Sequence, residues 1–179
     1  MSFPEKRRTI SRSFRIDEEW MEALHEEAER EGISVNALMN KILQQYSRNY
    51  RHAGRYGVVI LTRPTFASII RSCSNEALTE TAKASGSTRT KDALRTLGIP
   101  STHDSLVAFI RDNLGEYAGW FKFNHHITEN KEMLHLRHVF GNKWSIFIAE
   151  AISTMFEFIL NKKVTTEISN FTATITIDR

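Results

Sequence analysis

The segment SRSFRID, residues 11–17, alternates polar and apolar side chains with the two-residue period of a strand. No second strand pattern follows it for about forty residues. A lone strand leaves its backbone N–H and C=O groups unpaired, which a folded protein does not tolerate. The next stretch, EEWMEALHEEAEREG, repeats Met21, Leu24 and Ala28 at helical spacing, with Trp20 beside them and the glutamates on the other face. Asp17 is positioned to cap this helix, Glu18 and Glu19 suit its positive end, and Gly32 ends it. ISVNALMNKILQQY then predicts a second helix, capped by Ser34, with Val35, Leu38, Met39, Ile42, Leu43 and Tyr46 as its apolar stripe. One strand and two helices bury too little to be stable alone. A second copy solves both problems: two strands pair antiparallel and the helices interlock. The expectation is an obligate homodimer, with a tetramer as the larger assembly.

Residues 9 to about 48 resemble the ribbon-helix-helix family of DNA-binding transcriptional regulators, the Arc/MetJ type. The strand SRSFRID, the first helix, the break REG and the start ISVN of the second helix fall at the family's spacing. The resemblance implies double-stranded DNA as the partner, with the paired strands in the major groove and Ser11, Ser13 and Arg15 reading base edges. The chemistry of those residues agrees: arginine can donate two hydrogen bonds to a guanine, and serine hydroxyls donate or accept. Phe14 and Ile16 would face the core. The amides of Ser34, Val35 and Asn36, at the start of the second helix, would hold a phosphate. Arg12 departs from the pattern, since it shares the inward side with Phe14 and Ile16; its stem can cover the core edge while its guanidinium reaches a phosphate. The net charge of +3 is mild, but Lys6, Arg7, Arg8, Arg12 and Arg15 crowd the first seventeen residues, and a basic arm of this kind seeks phosphate. The alternative is an antitoxin-like or scaffold dimer whose carboxy-terminal region grips a protein partner. A small, basic outward strand face favours DNA.

The expected domains are 1–50, a linker 51–57, and an assembly or sensing domain 58–179. SRNYRHAGRYG, residues 47–57, reads as a helix end and linker in which Arg48, Arg51 and Arg55 are solvated. VVILT, residues 58–62, reads as a buried strand. Pro64 starts a helix carrying Phe66, Ile69 and Ile70. Residues 74–97 have weak helical character, broken at Gly86-Ser87. Residues 101–104 form a capping pattern before SLVAFIRDNLG. WFKFNHHI and EMLHLRHV make a hairpin in which Ile127 pairs with Glu132 and Phe121, Phe123, His125, Leu134, Leu136 and His138 share the core face. NKWSIFIAEAISTMFEFILN is a long buried helix, and VTTEISNFTATITI a terminal strand or two strands broken near Ser169-Asn170. The resulting class is α+β: a ribbon-helix-helix followed by a ferredoxin-like βαββαβ domain with extra helices in its first crossover. This element order is loosely similar to that of the nickel-responsive regulators, whose ribbon-helix-helix precedes a ferredoxin-like sensing domain.

Four histidines, His125, His126, His135 and His138, fall within fourteen residues. The hairpin register separates inward His125 from inward His138 by roughly 13 Å. Outward His126 and His135 are diagonal neighbours about 7 Å apart and are the only candidates to share a metal, with a further ligand from elsewhere. The nickel family's His-x-His pattern is absent, so the preferred reading is core histidines inside and a polar sheet face outside, with no metal and no cofactor. There is no Gly-rich phosphate loop and no nucleophilic arrangement at catalytic spacing, so an enzyme is not expected. The single cysteine, Cys73, suits a reducing cytoplasm. The amino terminus lacks the apolar stretch of a signal peptide, and the run around Ile146–Leu160 is interrupted by Glu150, Ser153 and Glu157, which argues against a membrane span.

Overall fold

The structure is a computed structural model that describes residues 10–51, apart from the side chains of Arg48 and Asn49, and residues 59–179. The chain divides between Ser47 and Arg48 into two compact units. Lys6, Arg7, Arg8, Arg55 and most of the expected linker lie outside the described residues.

In the first unit, α1 (Glu18–Glu31) starts where Asp17 accepts a hydrogen bond from the Glu19 amide and ends at Gly32, whose left-handed conformation (φ 67°) suits glycine. Then α2 (Val35–Gln45) starts at Ser34, whose hydroxyl accepts from the Ala37 amide at 3.2 Å. Lys41 on α2 reaches back to Glu31 at the end of α1, at 2.7 Å. Ala28 and Leu38 alone are buried among the described residues of this unit.

The second unit is a mixed helical and sheet structure. Its elements are α3 (Arg63–Ser72), α4 (Asn75–Ala84), α5 (Thr90–Leu97), α6 (His103–Phe109), β1 (Lys122–Ile127), β2 (Lys131–Arg137), α7 (Asn142–Leu160), β3 (Val164–Ile168) and β4 (Thr172–Asp178). A π-helical turn, Ser85–Arg89, joins α4 to α5, and another, Ile110–Tyr117, extends α6. The four strands form one antiparallel sheet in the order β1-β2-β4-β3. The register places Ile127 opposite Glu132, and then Leu136, Leu134 and Glu132 beside Ala173, Ile175 and Ile177. Strand alternation therefore turns one face to α7, where Ile148, Ala151, Ile152 and Phe156 are fully buried. Threonines 174 and 176 of β4 and His135 of β2 take the other face. The Lys143 ammonium donates to the Arg71 carbonyl at 2.8 Å and also to that of Cys73, a cation where the α3 dipole is negative.

Three expectations for this unit need correction. Residues 59–62 are not a strand, and Val59 and Ile60 are 77% and 88% exposed. An unbroken apolar run gives no information about whether an edge is available to pair with it. The sheet accordingly lacks the first strand of a βαββαβ pattern; it consists of two hairpins with α7 between them, and the second hairpin turns at the Ser169-Asn170 break. The helix also does not break at Gly86-Ser87. It continues through the π turn, because a bare glycine lets that turn lie directly against α7.

Candidate nucleic-acid interface

Ser11, Ser13 and Arg15 are all exposed in the first unit, as is Arg12. Phe14, expected in the core, is 61% exposed, and Ile16 is half-buried. Residues 10–17 make no ladder within the single chain. The apolar stripe of α2 is similarly open: Ile42, Leu43 and Tyr46 are exposed, together with Ile10 and Trp20. At the start of α2, the Ser34 hydroxyl accepts from the Ala37 amide and the Ser34 carbonyl from the Leu38 amide. The Ser34, Val35 and Asn36 amides stand at this helix start, where the dipole favours an anion.

The histidines of the second unit do not form one site. His126 lies opposite Met133 and His135 opposite Asn124, both on the outer face, and His135 shares a 3.0 Å hydrogen bond with Thr174. Among the described residues, no group of three or more His, Cys, Asp or Glu side chains is arranged to hold a metal. His138 is buried and bonds the Ser145 hydroxyl through Nε2 at 2.8 Å, while its Nδ1 accepts from the Phe140 amide. That second bond fixes the proton on Nε2, so the ring donates to Ser145 and cannot take its proton. The pair is a satisfied core contact rather than a nucleophile with its base.

His125 is the exception. Its Nε2 lies 2.7 Å from one oxygen of Glu132, and Nε2 of His103 lies 2.6 Å from the other. Glu132 is buried at the start of β2, on the core side of the sheet. An ionised carboxylate only accepts, so both rings carry their proton on Nε2. Burial opposes ionisation of Glu132 most strongly, but the two imidazole hydrogen bonds and the charges of His103 and His125 together outweigh it and hold the carboxyl below its usual range. Neither Glu132 nor His103 was singled out from the sequence. The register alone could have flagged Glu132, since it shares the parity of Leu134 and Leu136, and a carboxylate on a core face needs partners. His103 carried no local signal beyond its place in a helix cap.

Replacing Glu132 by glutamine is expected to lower the stability of the second unit by about 2 kcal/mol at neutral pH, the worth of charge-assisted bonds at a buried acceptor. A folded-state value below the unfolded one means that this contribution is complete above the unfolded carboxyl range and fades as pH falls through the folded value. Urea titrations at pH 7 and at successively more acid pH should therefore separate the two proteins at pH 7, with a gap that narrows as pH falls.

No family model, curated protein or solved structure matches the chain. Among the described residues, no helix is long and apolar enough to cross a membrane. The class that stands is α+β, with a four-stranded antiparallel sheet in the second unit.

Proposed function

We propose that the protein is a sequence-specific DNA-binding regulator of the ribbon-helix-helix kind, a homodimer whose paired strands enter the major groove. One observation carries this reading. Phe14, Ile42, Leu43 and Tyr46, the apolar positions of the strand and second helix, stand exposed in a single chain whose first unit buries only Ala28 and Leu38 among its described residues. A segment with well-capped helices and almost no core of its own is what a unit completed by a second copy would look like. The exposed Ser11, Ser13 and Arg15 are chemically suited to base edges, and the Ser34, Val35 and Asn36 amides to a phosphate. The basic arm, Lys6 to Arg12, would add sequence-independent attraction. Two-fold symmetry makes a palindromic or nearly palindromic operator the expected target.

The test begins with selection of duplexes from a random pool, followed by fluorescence anisotropy on the selected site and on unselected DNA. Arg15→Ala acts in both copies of the dimer, so the selected site should lose about 2 kcal/mol or more, roughly thirtyfold in affinity. Unselected DNA should lose far less. Equal losses on every duplex would remove Arg15 from base reading. Feeble binding to all DNA, insensitive to salt, would instead mark an antitoxin-like or scaffold dimer with a protein partner.

A further inference from the structure

The second unit contains a cleft of about 480 Å³ at the end of the sheet where β1 finishes, β2 begins and β4 finishes. One wall is a single face of α6 and its π-helical extension, because His103, Asp104, Val107, Ala108 and Arg111 recur at helical spacing. The opposite wall holds His125 and Ile127 of β1 and Glu132 of β2, and the rim holds Lys162 and Arg179. This volume lies in the range of clefts that hold small molecules.

The charges in the cleft are not equivalent. Both oxygens of Glu132 are taken by His103 and His125, so that carboxylate is spent on orienting the two rings. The Arg111 guanidinium is turned to Asp112, through Nε at 2.6 Å and Nη2 at 3.1 Å. Among the described residues, the side chains of Lys162 and Arg179 form no ion pair, and both residues are exposed. Two cations without an ion pair therefore stand at a cleft whose walls combine an imidazole braced by a buried carboxylate with the apolar surfaces of Val107, Ala108 and Ile127. Asp104 and the ionised Glu132, whose two oxygens are already hydrogen-bonded, are the negative charges among the lining residues. This combination suits an oxyanion attached to a short apolar body.

We propose that this cleft binds a small organic anion, a carboxylate or phosphate monoester, gripped by Lys162 and Arg179, with its apolar body against Val107, Ala108 and Ile127. Glu132 is a positioning residue: it fixes the ring of His125 without touching the ligand. The site does not depend on the DNA reading. In a DNA-binding dimer it would be where an effector acts.

The experiment is isothermal titration calorimetry on the full chain, without DNA, so that this proposal and the regulator reading fail separately. Succinate and citrate probe the carboxylate source, glycerol 3-phosphate and inorganic phosphate the phosphate source, and glycerol is the uncharged control. At least one anion should bind where glycerol does not. The double variant Lys162→Ala/Arg179→Ala should weaken that binding at least tenfold, with the same melting temperature, because both residues are exposed. The imidazole NMR signals of His125 should move on binding, while those of His138, engaged with Ser145 in the core, should stay. Binding unchanged in the double variant, or no binding by either class of anion, would overturn the proposal.

Discussion

Gly86→Ala is expected to destabilise the second unit by about 3 kcal/mol or more, the upper end of what overpacking costs. A Cβ at this position would overlap the Ala151 carbonyl oxygen and come within 2.8 Å of the Thr154 Cβ, both on α7. Neither obstacle is the mobile end of a long side chain. The π turn and α7 would have to separate, and with them the packing of Leu78, Ala82 and Leu94 in the same core. Gly98 provides the contrast. It has a left-handed φ of 66° with nothing within 4 Å of its would-be Cβ, so Gly98→Ala meets backbone strain alone, about 1 kcal/mol. Urea unfolding of the two variants should rank them in that order. An equal shift in midpoint would mean that the close approach at Gly86 is not what holds the two elements together.

The second large effect is a loss of stability in mild acid. Burial pushes the His138 imidazole down to about 4, and the ring sits in the core as a neutral donor to Ser145. Unfolding releases it to its ordinary value near 6.5. The sign follows: below about pH 6.5 the unfolded chain gains a proton that the folded chain refuses, so stability falls as pH drops, until the folded group also titrates near 4. The full span corresponds to about 3 kcal/mol. His138→Asn offers an oxygen that can accept from the Phe140 amide in place of Nδ1 but has nothing to titrate. Denaturant unfolding across this window, followed by the fluorescence of Trp120 and Trp144 in a Trp20→Phe background, should show a steep pH slope for the parent and a shallow one for the variant. Matching slopes would assign the acid sensitivity elsewhere. The Glu132 contribution fades at lower pH, below the ordinary carboxyl range, so the two effects occupy different windows.

These two residues also show how far local reading reaches. The glycine at 86 was expected to break a helix, because glycine favours the coil when nothing else is known. Its role is decided by Ala151 and Thr154, more than sixty residues away. His138 was expected on the core face, and the hairpin alternation put it there. Its neutral state comes from burial that only the packed α7 supplies.

Features with local causes are legible in the residues alone. Asp17, Gly32 and Ser34 set the limits of α1 and the start of α2 through side-chain caps and a left-handed residue. The hairpin register of Ile127 with Glu132 and the length of α7 follow from two-residue and helical periodicity. Long-range packing leaves Val59 and Ile60 in the open, makes the sheet two hairpins rather than a βαββαβ, and brings His103 and His125 together over Glu132. Periodicity fixes which way a side chain points. What it meets there depends on segments brought in from elsewhere in the chain, and local pattern holds no record of them.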